Sequence, residues 1–194
     1  MRSKLIYWLT YAGMWLLALL PFKVLYIISD IMCFVLHYIV RYRLGTVRGN
    51  LKNSFPEKSK AELREVERKF YRYLCDYMLE EIKLINIPFD ELSRRMKYEN
   101  TEQYLALLEK YGGLILLIPH YANFEWIIGL GAIMNEGDLP VQVYKPLRDK
   151  YLDELFKVIR SRFGGYNVPK HSTAREIIKL RKEGKHIVIG LITD

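Results

Sequence analysis

Residues 5–40 carry only two charged side chains, Lys23 and Asp30. A single helix of that length would rise about 54 Å, whereas the hydrocarbon core of a bilayer is about 30 Å thick. One straight crossing does not need so much chain. Pro21 divides the stretch into residues 5–20 and 22–40. We expect the first part to lie in the membrane interface and the second to be inserted. A tight membrane hairpin and a buried hairpin of a soluble domain are the other solutions.

A secretory signal would pass from a short apolar stretch to small residues at a cleavage site. Here the apolar stretch runs on into aromatic and basic residues, so it is expected to stay in place. Tyr7, Trp8, Tyr38 and Tyr42 bracket it as an interfacial belt would, and Arg41, Arg43 and Arg48 follow as cytoplasmic flanks do. The functional part is therefore expected on the cytoplasmic side.

The rest of the 194 residues has the balance of a water-exposed domain, which brings the whole to 51% apolar and 27% charged and excludes a disordered or collagen-like chain. Of the net charge of +8, residues 1–50 contribute six basic groups against one acid, and residues 151–194 nine against five. Basic groups beside a membrane segment suit anionic headgroups at about 1 kcal/mol each. Nucleic-acid binding would use the same charge, but no RNP-like motif, zinc finger or glycine-rich RNA clamp is present, and no nucleic-acid partner is expected. Cys33 and Cys75 are too few for a disulfide framework and lack metal-ligand spacing, so neither a metal nor another cofactor is expected.

After a loop containing Asn50, Ser54 and Pro56, Ser59 and Glu62 read as a capping box opening a helix to about residue 85. Its inward face is expected at Leu63, Val66, Phe70, Leu74, Tyr77, Ile82 and Ile85, with Pro88 ending it. A short helix near 89–96 and another over 101–110 follow, the second begun by Asn100 and stopped by Gly112 and Gly113. Strand, helix, strand, helix, helix, strand then cover 114–118, 123–134, 141–144, 150–163, 172–183 and 186–192. Residues 114–118 read as a strand buried on both faces. The expected fold is α/β, a mostly parallel sheet flanked by helices behind an N-terminal membrane-anchoring segment. The expected divisions are 1–44 as anchor, 45–113 as a helical region and 114–194 as the catalytic core. A sheet of so few strands ending at Asp194 would leave an apolar edge exposed, and the C-terminal part of the fold is expected to be missing.

His120 follows the first strand directly, and Glu125 stands five residues on. Within one regular helix the two would point about 140° apart. Placed in the strand-to-helix turn, which Pro119 favours, the imidazole can fold back toward the carboxylate. The carboxylate would then fix the tautomer and leave the other nitrogen basic, making His120 a general base for a hydroxyl. The plainer alternative is a strand-end histidine bonded to backbone, with Glu125 as a first-turn acid suited to the helix dipole. Asn123, between them, suits the cap of the following helix. His37, His171 and His186 have no acid at useful spacing and read as interface, loop and strand-start residues.

The stretch from Pro119 to Trp126, the aromatic-rich N-terminal segment, Tyr144, Lys145 and Pro146, and Arg160, Ser161 and Arg162 together resemble the bacterial lipid A late acyltransferases. These stand within the wider glycerolipid acyltransferase group, marked by a His and an acidic residue separated by four positions. The resemblance covers essentially the whole chain. It implies transfer of a fatty acyl group from an acyl-carrier thioester, on acyl carrier protein or coenzyme A, to a hydroxyl of a lipid A precursor at the bacterial inner membrane. It gives His120 and Glu125 the catalytic roles, with no acyl-enzyme intermediate, and places Asn123, Lys145, Arg160, Arg162 and Asp194 on the substrate side. The family usually carries Arg where this chain has Lys145, so a point charge replaces a bidentate fork. For Arg160 and Arg162 a solvated last helical turn is the competing role. A different glycolipid or glycerophospholipid acceptor is the alternative within enzymes; glycerol-phosphate acyltransferases usually carry Asp in the motif and a later Glu-Gly-Thr-Arg segment, which this chain lacks. A non-catalytic membrane adaptor of the same fold is the alternative outside them.

Overall fold

The computed structural model describes residues 2–193, with side-chain surroundings from Tyr7 onward. It divides into two compact units: Trp15–Lys83, and Leu84–Asp194 together with Met1–Met14.

In the first unit, Pro21 separates α1 (Arg2–Leu19) from α2 (Phe22–Phe34), its missing N–H costing nothing at a helix start. The chain continues through a π-helical turn, Val35–Ile39. Phe22–Ile39 is long and apolar enough to cross a membrane, with a mean hydropathy of 1.7. The expected loop around Asn50 is instead a helix, α3 (Leu44–Ser54), because Leu44, Val47 and Leu51 supply a helical face that the polar composition obscures. The capping box opens α4 (Lys60–Lys83): the Ser59 N–H donates to Glu62 Oε2 at 2.8 Å and the Glu62 N–H to Ser59 Oγ at 3.3 Å.

The inward face of α4 is not the apolar stripe read from the sequence. Glu67, Tyr71, Cys75, Leu79 and Lys83 are buried, while Phe70 is exposed. The polar members of this ladder and its flank all find partners. His37 Nε2 lies 2.8 Å from Glu67 Oε1, Ser29 donates to Asp76 at 2.6 Å, and Tyr26 donates to Glu80 at 2.9 Å. Lys83 donates to the carbonyls of Ala18 and Leu20, which closes the end of α1. Burial of charge is tolerated here because each group is paired.

In the second unit, α5 (Phe89–Arg95) and α6 (Thr101–Tyr111) precede the sheet. Gly112 ends α6 in the left-handed region at φ 66°. The strands are β1 (Gly113–Pro119), β2 (Leu139–Tyr144), β3 (Tyr166–Pro169) and β4 (Ile187–Thr193), in the order β1-β4-β2-β3, and every pairing is parallel. A 3-10 helix (Phe124–Ile133), α7 (Lys150–Ser161) and α8 (Thr173–Lys182) make the crossovers. The four-residue β3, between Gly165 and a loop, was not expected from the sequence because it is too short to show a period. The core gathers Val141, Val168, Leu180 and Ile187. β1 is not buried on both faces: Ile115 and Leu117 are 62% and 68% exposed. It is an edge strand, and its apolar run has one half-buried face and one open one.

Candidate active site

β1 delivers the chain to a turn at the carboxyl end of the sheet, where ligands of open parallel sheets collect. Tyr121 N–H closes back on the Pro119 carbonyl at 2.7 Å, and Ala122 takes a positive φ of 48°. A non-glycine residue in that region is strained, and such strain gathers at functional turns. His120 is exposed in this turn, its ring edge-on to Phe124 at 5.1 Å between centroids. Asn123 occupies the N-cap position, but its side chain makes no capping bond. Its ψ of 76° departs from the extended backbone that aims a cap side chain at the first helical amides.

The helix that follows is 3-10, with three residues per turn, so side chains three apart share a face. Phe124, Ile127 and Leu130, with Glu125 and Ile128 beside them, line a cavity. The third row faces elsewhere: Tyr98 donates to the Trp126 carbonyl at 2.9 Å, and a Cβ on Gly129 would strike Tyr98 and Leu92. An α-helix over the same residues would scatter these rows. Glu125 and Ile128, three apart, stand together on the cavity wall.

The cavity has a volume of about 390 Å³, within the range of roughly 300–1,000 Å³ usual for small-ligand sites. Its floor is the sheet. Leu116 pairs in register with Gly190 and Ile118 with Ile192, and Gln142 meets Gly190 from the other side. Gly190 thus leaves a side-chain gap in the central strand; a Cβ there would come within 3.1 Å of Ile118 Cδ1. Val143, Tyr144, Leu147 and Phe156 complete a lining that is mostly apolar.

The polar groups of the lining are Glu125, Gln142, Lys145, Asp153 and Arg160. Arg160 Nη2 stands 3.6 Å from Glu125 Oε1, and its guanidinium also lies over the Phe156 ring. Asp153, Phe156 and Arg160 recur at helical spacing along one face of α7, which Asp149 caps by accepting from the N–H groups of Tyr151 and Leu152 at 2.9 and 3.0 Å. Asp153 accepts from the Leu147 N–H at 2.8 Å and pairs with Lys157 at 2.9 Å. The Lys157 hydrogen bond, joined by that of Leu147, holds its carboxyl below the usual range. Asp153 thereby tethers the loop that carries Lys145. Sequence reasoning missed Asp153 and Gln142; for Asp153 the signal was its spacing from Arg160.

Of the residues singled out from the sequence, Glu125, Lys145 and Arg160 line one cavity, and His120 and Asn123 occupy the turn leading into it. Arg162 is not among the lining residues. It donates to the carbonyls of Leu84 at 2.5 Å and Ile87 at 2.9 Å, and burial pulls its guanidinium below its ordinary pKa. Asp194 lies outside the described residues. Two histidines do have acidic partners, found only through folding: His37 with Glu67, thirty positions apart, and His186 with Asp138 at 3.2 Å. His37 and Glu67 are 5% and 4% exposed, and Arg48 closes the second carboxylate oxygen at 2.7 Å. That pair fastens the end of α2 to α4. Among the described residues no three His, Cys, Asp or Glu side chains gather as metal ligands would.

Residues 1–194 match the family described as bacterial lipid A biosynthesis acyltransferase, and the chain belongs to that family. No curated relative matches it.

Proposed function

From that membership we propose that the chain transfers a fatty acyl group from an acyl-carrier thioester to a hydroxyl of a lipid A precursor. The observation that carries this reading is the apolar cavity walled by Glu125 and Arg160, with His120 in the turn that immediately precedes its wall residues Phe124 and Glu125. His120 takes the proton of the acceptor hydroxyl, and that oxygen attacks the thioester carbonyl. The tetrahedral intermediate then expels the thiolate, which recovers the proton from the imidazolium. Glu125 orients the ring and stabilises its charged form, and Arg160 holds Glu125 in place. The thioester's acyl chain occupies the cavity.

Lys145 and Arg160 offer charge to the developing oxyanion or to acceptor phosphates. Asn123 steadies the turn, and Asp194 keeps the substrate-binding role that the resemblance implies. The exposed apolar face of α2 sits in the inner membrane, and Arg41, Arg43 and Arg48 hold the catalytic part on the cytoplasmic side. The donor is a fatty acyl thioester of acyl carrier protein or of coenzyme A.

The test is incubation of the purified full chain, and of its His120→Ala and Glu125→Ala variants, with acyl carrier protein thioesters and a tetra-acylated lipid A precursor. Product is expected from the first, with a loss of about 10²- to 10⁴-fold in the His120 variant. Undiminished turnover by His120→Ala would remove the mechanism. Transfer to a glycerophospholipid alone would move the acceptor. Lipid binding without transfer to any hydroxyl would favour an adaptor.

A further inference from the structure

Where the π-helical turn, α3 and α4 meet, within the unit Trp15–Lys83, a cleft of about 560 Å³ is lined by Arg41, Arg48, Arg64 and Arg68, with Glu67 and Tyr38 among its other walls. Four guanidinium groups thus face one carboxylate. Glu67 is already neutralised: Arg48 donates to both its oxygens, at 2.7 and 3.1 Å, and His37 approaches one of them. Among the described residues, Arg41, Arg64 and Arg68 make no ion pair, whereas the neighbouring Glu65 pairs with Lys69 at 2.7 Å. Arg64 and Arg68, one turn apart on α4, repel each other. Arg41 is held at φ 55°, in the left-handed region that arginine rarely enters. A strained backbone and an excess of positive charge both concentrate on this cleft, which the transfer reaction does not use.

We propose that the cleft binds the phosphate of an anionic membrane lipid. Planar guanidinium groups with free N–H forks match phosphate oxygens, and an anion would relieve the repulsion among them. The wall residue Tyr38 points to a lipid as the source of the phosphate. Tyr38, in the π-helical turn and 55% exposed, continues an exposed row on α2, Ile27, Ile31 and Phe34, at 62%, 61% and 57%, spaced to share one helical face. Acyl tails lying along that row bring their headgroup to the arginines. The inference rests on the membrane reading of α2 but not on the acyl-transfer chemistry.

The experiment measures lipid retained by the detergent-solubilised full chain, by native mass spectrometry, after incubation with phosphatidylglycerol or phosphatidylcholine. The wild-type chain is expected to retain phosphatidylglycerol preferentially. Combined Arg64→Gln and Arg68→Gln substitution, at two exposed positions, is expected to lower that retention about tenfold, the loss of roughly two charge-assisted hydrogen bonds. A charge-matched control, Arg175→Gln with Lys179→Gln on α8, is expected to retain it. Equal losses in both variants would reduce the effect to diffuse charge and overturn the site, as would unchanged retention by the cleft variant. Inorganic phosphate is titrated in a separate arm. Its binding, lost in the cleft variant while phosphatidylglycerol retention is untouched, would assign the arginines to a soluble anion and overturn the lipid source. Acyl transfer to a detergent-dispersed acceptor reports independently on the catalytic reading.

Discussion

Arg160 of α7 and Glu125 of the 3-10 helix face each other at 3.6 Å on the wall of one cavity. Arg162, two residues further on, turns away to backbone carbonyls at Leu84 and Ile87. One short segment therefore holds an arginine available to chemistry and an arginine spent on the fold.

Arg160→Gln is expected to lower kcat/KM about 10- to 100-fold with little change in Tm, because a single ion pair at 3.6 Å that still reaches solvent contributes little to stability. Arg160→Lys should recover part of the rate, having charge without the fork. Wild-type kinetics in Arg160→Gln would detach the pair from catalysis.

For Arg162→Ala the effects should be reversed. Two carbonyls lose their donor in a partly buried setting, which costs about 2–3 kcal/mol. Denaturation should show a lowered midpoint, while KM and kcat per folded molecule stay close to wild type. A raised KM without destabilisation would return Arg162 to the substrate side.

Cys75 is fully buried on α4, and desolvation is the main cause pushing its thiol pKa up to about 11. At neutral pH it stays protonated and unreactive. Iodoacetamide should leave it unmodified in the native protein and label it after denaturation, and Cys75→Ala should keep its transferase activity. Loss of activity without loss of fold would reopen a thioester intermediate.

Leu116 lines the cavity from β1, in register with the gap left by Gly190. Leu116→Phe fills part of the space assigned to the acyl chain and should shift donor preference toward shorter thioesters. The measurement is kcat/KM across a series of chain lengths; a uniform fall over the series would place the chain elsewhere.

Arg48's hydrogen bonds first, and His37's after them, hold the Glu67 carboxyl below its ordinary range against the opposing effect of burial. A depressed folded-state pKa stabilises the fold above the unfolded value, and that stabilisation is lost as pH falls through the lowered one. Glu67→Gln should therefore destabilise the protein by about 2 kcal/mol at neutral pH, and the gap from wild type should narrow as pH falls below the ordinary glutamate range of about 4.3. Measurement of Tm against pH for both proteins checks it; a constant gap would exclude the ionised carboxylate as the cause.

The break at Pro21, the capping box at Ser59 and Glu62, the stop at Gly112 and three of the four strands were legible in the sequence, because each depends on residues within a turn or so of one another. So was the composition of the turn after β1. The residues of α4 that would point inward were not legible, since Glu67 and Lys83 are buried only because His37, Arg48 and the carbonyls of Ala18 and Leu20 come from distant positions to meet them.

Local sequence thus determined which stretches become helix or strand, where the chain turns, and that an imidazole and a carboxylate stand on either side of one such turn. Only the tertiary structure decided the meeting of Glu125 and Arg160 on one cavity wall, the separation of Arg160 from Arg162, and the gathering of four arginines in a second cleft. Backbone propensity and capping act over a few residues. The partners that make a buried charge tolerable, or leave an exposed one unopposed, are chosen by contacts between segments far apart in the chain.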